Sequence, residues 1–374
     1  MKLISNPMRG SHTGGHCTPE VAASARSVLS RWASYSQTPL LSLEGLAREA
    51  QLGEVWLKYE GGRFGTGSFK ALGAAYALES LLERLRMAGN AIGPPKIPTV
   101  ACASDGNYGR AVAWAAQQLG CDCVVYLPRH VTNFREEAIR QYGAQTLRVQ
   151  GNYDDAEAAV RGACVQRGWV FLSDSSYDNY TVIARDVMAG YGVMLSEIAD
   201  LMPFAGFTHL FLQCGVGAFA GAVCDYLSAT PGPILVSVEP VRAACVFASV
   251  KQRHLTRVRG ALTTLMGGLA CGRPSPLAWD VLRVRLDFCA TLEDSWAIQA
   301  VRRLASGRAS AEPVVAGETG AAGLGALLCA ASDRQWRHQL GLNASSRVLL
   351  FCTEGATDPG VYANIVGEGD GEAA

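Results

Sequence analysis

Apolar positions along the chain fall into two alternating patterns. Short, nearly continuous apolar runs predict strands at 54–59, 99–103, 123–127, 146–149, 170–172, 209–214, 234–238 and 348–351. Between them lie longer stretches with apolar residues every third or fourth position, which predict helices at 68–87, 109–119, 133–141, 153–167, 179–199, 218–228, 296–306 and 321–331. In the first of these, Phe69, Leu72, Tyr76 and Leu82 form the apolar face. Gly143 is placed to cap the helix at 133–141. Strands without polar alternation, separated by helices, belong to a mostly parallel sheet covered on both faces. The segment from Pro95 to about Arg185 is a self-contained βαβα set. The expected division is a large domain of 1–94 and 186–374 with a smaller domain of 95–185 inserted in it.

Composition narrows the function classes. The 374 residues are 49% hydrophobic and 18% charged, with Lys plus Arg and Asp plus Glu both at 33. A chain with zero net charge has no electrostatic footprint for nucleic acid or an acidic membrane surface. The twelve cysteines are scattered through apolar segments; Cys121 and Cys123 share one face of a strand, and no second pair completes a zinc site. They read as reduced thiols used as small hydrophobes. The six histidines lack metal spacing, and Arg253 to Arg259 reads as a solvated face. Residues 1–19 have no apolar core of a signal peptide, and no run reaches membrane-spanning length. A cytoplasmic protein is expected, with the start of the N-terminal segment and the tail from Gly367 to Ala374 mobile.

Five segments at element ends carry candidate chemistry. Lys70, in Gly67-Ser68-Phe69-Lys70, sits at a helix start beside Phe69 and Leu72. Helix dipole and apolar neighbours both predict a neutral amine, the form that condenses with an aldehyde. Ser104-Asp105-Gly106-Asn107 lies between strand and helix, offering backbone N–H groups, an acid at Asp105 and an amide at Asn107. Gly215-Val216-Gly217-Ala218-Phe219-Ala220-Gly221 follows an apolar strand and suits a phosphate. The same glycines, with Glu239 at the end of the next strand, also satisfy a dinucleotide-binding pattern. Thr353, in Cys352-Thr353-Glu354-Gly355, places a hydroxyl at a strand end, and Gly317-Glu318-Thr319-Gly320 forms another strand-end turn. Each also reads as a plain structural turn when taken alone.

Taken in order, these segments resemble the tryptophan-synthase-β-like, fold-type II family of pyridoxal-phosphate enzymes, and within it the diaminopropionate ammonia-lyases most closely. The resemblance is carried by Arg63-Phe64-Gly65 ahead of Phe69-Lys70, Asp105-Gly106-Asn107 leading into Gly109 to Ala116, and Asp174 ahead of Tyr180-Thr181. Further matches are Met266 to Gly272, Gly317 to Gly320, and Thr353 to Gly355 with Thr357-Asp358-Pro359. It implies two parallel-sheet α/β domains with the active site between them, pyridoxal 5'-phosphate as cofactor, no metal and a homodimer. Lys70 would hold the cofactor as a Schiff base, with Phe69 near its ring. Asn107 would meet the phenolic oxygen, Gly215, Val216, Gly217, Ala218 and Phe219 the phosphate, and Thr353 the pyridine nitrogen. Asp105 and Asp174 would be the acids of the substrate pocket. The chain departs from the lyase pattern at Tyr59, Ser68, Tyr108 (commonly histidine) and Ala218.

The implied reaction is α,β-elimination of ammonia from 2,3-diaminopropionate, giving pyruvate and ammonia. Lys70 would take the α-proton of an L-substrate, and Asp105 that of a D-substrate. A neutral hydroxyl at Thr353 would favour prompt loss of the β-group over transamination. Ser68 supports an alternative, a serine/threonine dehydratase or a cysteine-synthase-like β-replacement enzyme. A nicotinamide-dependent dehydrogenase would leave the lysine and asparagine segments unexplained, and an intact Lys70 argues against a non-catalytic binding module.

Overall fold

A computed structural model describes residues 1–12, 14–88, 97–104, 106–177, 179–229 and 232–367. Its strands are β1 (Lys2–Ser5), β2 (Leu40–Ser42), β3 (Glu54–Tyr59), β4 (Val100–Ala103), β5 (Cys123–Pro128), β6 (Gln145–Val149), β7 (Val170–Phe171), β8 (His209–Gln213), β9 (Ile234–Pro240), β10 (Phe288–Leu292) and β11 (Arg347–Cys352). They form a larger sheet in the order β1-β10-β9-β8-β11-β3-β2 and a smaller one in the order β6-β5-β4-β7. The smaller sheet is wholly parallel. The larger is parallel through its five central strands. Short antiparallel strands close both of its edges, a mixed arrangement that the run of central apolar strands does not announce.

Successive residues in the central strands feed opposite faces. Leu210, Leu212, Leu349 and Phe351 pack into one core, whereas Phe211, Val348 and Leu350 pack into the other beneath the helices Asp294–Ala305 and Ala322–Ser332. The first core runs on without a break to Val100, Cys102, Val125 and Leu127 of the smaller sheet. Between the sheets it takes in the helices Lys70–Ala88, Asn107–Leu119, Val182–Leu201 and Ala218–Tyr226. A third cluster covers the far face of the smaller sheet under the helix Tyr153–Arg167. That helix opens on a reciprocal capping box between Asn152 and Asp155 and stops at the left-handed Gly168.

Several expectations change. The N-terminal segment is held rather than mobile: β1 pairs with β10 from Lys2↔Thr291 to Ser5↔Phe288, and Asn6 Nδ2 donates to the carbonyls of Arg283 and Leu286. A four-residue edge strand is too short for alternation to register. The helix at 133 ends at Arg140 with Gln141 as its cap; Gly143 lies one turn further, at φ 81°. The helix expected from Asn179 starts at Val182, because Asn179 itself is left-handed (φ 62°). The C-terminal helix Pro359–Gly367 is ordered through Gly367, and residues 368–374 of the expected tail lie outside the described residues. All twelve cysteines are buried. Among the described residues, no helix is long and apolar enough to cross a membrane, and no three His, Cys, Asp or Glu side chains could hold a metal ion.

Candidate active site

The carboxyl ends of β8 and β11 and the N-termini of three helices converge on a cleft of roughly 870 Å³, counting its open mouth. Lys70, Phe69, Asn107, Asp174, Gly215, Val216, Gly217, Ala218, Phe219 and Thr353 all line it. Asp105 lies outside the described residues.

Lys70 is the first residue of its helix. The turn that presents it is tied to the end of β11, where the Phe69 N–H donates to the Thr353 carbonyl at 3.0 Å and Gly355 N–H donates to the Gly67 carbonyl at 3.0 Å. Further back, the turn is anchored by a wholly buried ionic cluster. Arg63 donates to Glu60 and Glu197 at 2.7–2.9 Å, and Lys58 Nζ reaches Glu197 at 2.6 Å. All four side chains are inaccessible to water. Burial opposes ionisation of Glu197, but hydrogen bonds and charge from Arg63 and Lys58 prevail and hold its carboxyl below the usual range.

The Lys70 amine is not kept neutral. Nζ donates to Asp174 Oδ2 at 2.6 Å, while the rings of Phe69, Tyr108 and Tyr191 surround it at 5.2–5.6 Å. Burial pulls its pKa down, but the Asp174 charge outweighs that and leaves the amine above its ordinary value, as an ammonium. The local sequence shows the desolvation and the helix start; it does not show a carboxylate 104 residues away.

The glycine segment after β8 lies close to its neighbours. A side chain at Gly215 would press on the Gly268 carbonyl at 3.0 Å, and one at Gly217 on Leu282 Cδ1 at 2.8 Å. Gly217 is also left-handed, at φ 93°. The backbone N–H groups from Gly215 to Phe219 have no protein acceptor among the described residues, and these residues line the cleft at the start of the helix Ala218–Tyr226. Glu239, the acid required by the dinucleotide reading, does not line this cleft. It is buried, with its carboxylate accepting from the N–H groups of Val246 and Phe247 at 2.7 and 2.6 Å.

At the ends of β8 and β11, Thr353 Oγ1 accepts from Gln213 Nε2 at 3.0 Å. Asn107 Nδ2 donates to Glu354, which also accepts from the Thr319 N–H at 2.9 Å. Burial, reinforced by nearby Glu318, raises the Glu354 carboxyl to about 7, with Arg135 opposing. Arg135 bridges to Glu318 at 2.7 Å, and Thr132 Oγ1 donates to Asp358 at 2.8 Å, so the smaller-sheet half is latched to the larger at the cleft. Tyr108 is 6% exposed, yet its hydroxyl has no hydrogen-bond partner among the described residues. Gln213, Arg135 and the Glu354 carboxylate are site residues to which the sequence assigns no role. Gln213 reads as the polar end of an apolar strand, and the other two gain their meaning from distant partners.

A pyridoxal-phosphate dependent enzyme profile matches residues 32–354. The diaminopropionate ammonia-lyase of Escherichia coli (strain K12) is 37% identical over 366 residues, covering 92% of this chain and 91% of that protein. The Salmonella typhimurium diaminopropionate ammonia-lyase is 36% identical, covering 90% and 89%. The crystal structure of the E. coli enzyme in complex with an aminoacrylate-PLP azomethine reaction intermediate superposes with a TM-score of 0.90 at 34% identity, covering 98% of this chain and 97% of that one.

Proposed function

Because the chain belongs to the pyridoxal-phosphate dependent enzymes, we propose that it is an ammonia-lyase that removes ammonia from 2,3-diaminopropionate by α,β-elimination, leaving pyruvate and ammonia. The observation that carries this reading is the convergence of a lysine amine, a row of undonated backbone N–H groups and an undonated hydroxyl proton on one cleft.

These residues fit the cofactor. The N–H groups of Gly215 to Phe219 suit a phosphate, and the contacts at Gly215 and Gly217 show why no side chain is tolerated there. Phe69 would pack near the ring, Asn107 would donate to the phenolic oxygen and Thr353 to the ring nitrogen. Lys70 would hold the aldehyde carbon covalently. When bound, the cofactor supplies an electron sink for the carbanion formed at Cα.

The remaining chemistry falls to side chains. Lys70 would take the α-proton of an L-substrate; Asp105 would take that of a D-substrate, a role that rests on the family resemblance. Asp174, whose carboxylate already accepts from one ammonium at 2.6 Å, would orient the substrate's β-ammonium. That group departs as neutral ammonia and takes the bonding electron pair with it; the aminoacrylate released is hydrolysed by water to pyruvate and a second ammonia. The 95–185 segment, with its own sheet, would be the small mobile domain, and the protein would act as a cytoplasmic homodimer on a small amino acid.

The deciding experiment is a pyruvate assay of purified, cofactor-loaded protein on both enantiomers of diaminopropionate, serine, threonine and O-acetylserine. Diaminopropionate should give the highest kcat/KM, and Lys70→Ala should reduce turnover to background. A preference for serine or threonine would move the chain to the dehydratases. Near-wild-type activity in Lys70→Ala would overturn the lysine assignment.

A further inference from the structure

Gln213 closes β8 and is 3% exposed. Its Nε2 stands 2.8 Å from the Phe351 carbonyl and 3.0 Å from Thr353 Oγ1, with the Gly320 carbonyl at 3.4 Å. A backbone carbonyl can only accept, so the atom facing Phe351 must be the amide nitrogen; turning the amide over would bring two acceptors to 2.8 Å. The same nitrogen therefore donates to Thr353, and Thr353 Oγ1 is an acceptor in that bond. A threonine hydroxyl carries one proton. That proton has no protein acceptor among the described residues, and Thr353, 1% exposed, lines the cleft.

We propose that Gln213 is a positioning residue that fixes the Thr353 hydroxyl as a donor toward the pyridine nitrogen. The ring is thereby kept in its unprotonated, acceptor form, and reaction is biased toward loss of the β-group over transamination. The inference rests on the cofactor reading above and on Thr353 meeting the ring nitrogen. Gln213 lines the cleft, and its effect on the ring passes through Thr353. It acts by occupying one lone pair of Thr353, which leaves the proton a single useful direction. With Gln213 replaced by a side chain that cannot donate, the hydroxyl is free to turn and offer a lone pair to a protonated ring.

The test loads wild type, Gln213→Met, Gln213→Glu and Thr353→Val with cofactor labelled with nitrogen-15 in the ring. The ring-nitrogen resonance of each holoenzyme is read in the absence of substrate. Pyridoxamine phosphate formed per pyruvate is then measured with diaminopropionate. Wild type should show an unprotonated, hydrogen-bonded pyridine. Gln213→Met and Gln213→Glu should shift toward pyridinium and raise the pyridoxamine fraction at least tenfold. A wild-type resonance already at the pyridinium position overturns the proposal without reference to any variant. It is also overturned if both Gln213 variants keep the wild-type resonance and product ratio while Thr353→Val changes them. If Thr353→Val changes neither, the placement of Thr353 at the ring nitrogen is itself wrong, and the role of Gln213 falls with it.

Discussion

Lys70 Nζ and Asp174 Oδ2 meet at 2.6 Å across the wall between the two sheets. The pairing reverses what burial alone would do: the carboxylate beside the buried amine accepts its hydrogen bond and favours the ammonium form. Charge and hydrogen bonding from Asp174 thus outweigh desolvation at Lys70.

Asp174→Asn should release that hold. A hydrogen bond between charged groups contributes about 1.5–3 kcal/mol, and with it gone, burial would push the Lys70 pKa down. Competitive labelling of the apoprotein with an amine reagent at pH 8 should show Lys70 reacting at least tenfold faster than in wild type. An unchanged rate would mean that Asp174 does not control the amine.

Gly217→Ala should weaken cofactor binding. The new methyl group would meet Leu282 at 2.8 Å on a left-handed backbone. That conformation costs about 1–2 kcal/mol for an L-residue. Titration of the apoprotein should show cofactor affinity lower by roughly tenfold, since ~1.4 kcal/mol is a factor of ten, with the fold retained.

Tyr108→Phe should separate stability from catalysis. A buried hydroxyl without a partner carries a desolvation penalty of about 1–3 kcal/mol, so deleting it should leave the substrate-free protein as stable or more stable on urea titration. If the hydroxyl bonds substrate, kcat/KM for diaminopropionate should fall in the same variant. A fall in both stability and activity would indicate a packing role instead.

Glu197→Ala should be the most destabilising of these changes. Among the described residues it leaves the fully buried Lys58 and Arg63 with only Glu60 as an acidic partner, and breaking a buried pair in this way costs about 3–5 kcal/mol. The pH dependence follows from the depressed Glu197 pKa. The unfolded chain takes up this proton at a higher pH than the folded one, so the contribution is fully present above the ordinary carboxyl pKa. It is lost as pH falls through the lower folded value. Denaturation midpoints of wild type should therefore drop in acid below about pH 4.5, and Glu197→Ala should flatten that drop.

The catalytic cleft is legible in the sequence where its residues sit in local strand–turn–helix segments. Lys70, Asn107, the glycines at 215 and 217, and Thr353 each mark an element end with a small or polar residue, and the fold brings them to one place. What the sequence conceals is pairing over distance. Arg63 stands in a recognisable motif, but Glu197 lies 134 residues away, inside a helix that reads as amphipathic. Gln213 looks like the polar end of a strand until Thr353, 140 residues later, is seen to share its amide. The same blindness to distant partners yields the expectation of a neutral Lys70. The edge strand Lys2–Ser5 is missed for a different reason: four residues carry too little pattern to be distinguished from a loose terminus.

The knot between the Lys70 turn and the end of β11, where the Phe69 N–H donates to the Thr353 carbonyl, joins an early part of the polypeptide to a late one. During synthesis the lysine leaves the ribosome long before its counterpart exists. The turn therefore cannot gain this bond until translation has passed residue 353. A chain cut short of that residue would keep the helix that begins at Lys70 but lose the bond that sets the turn before it.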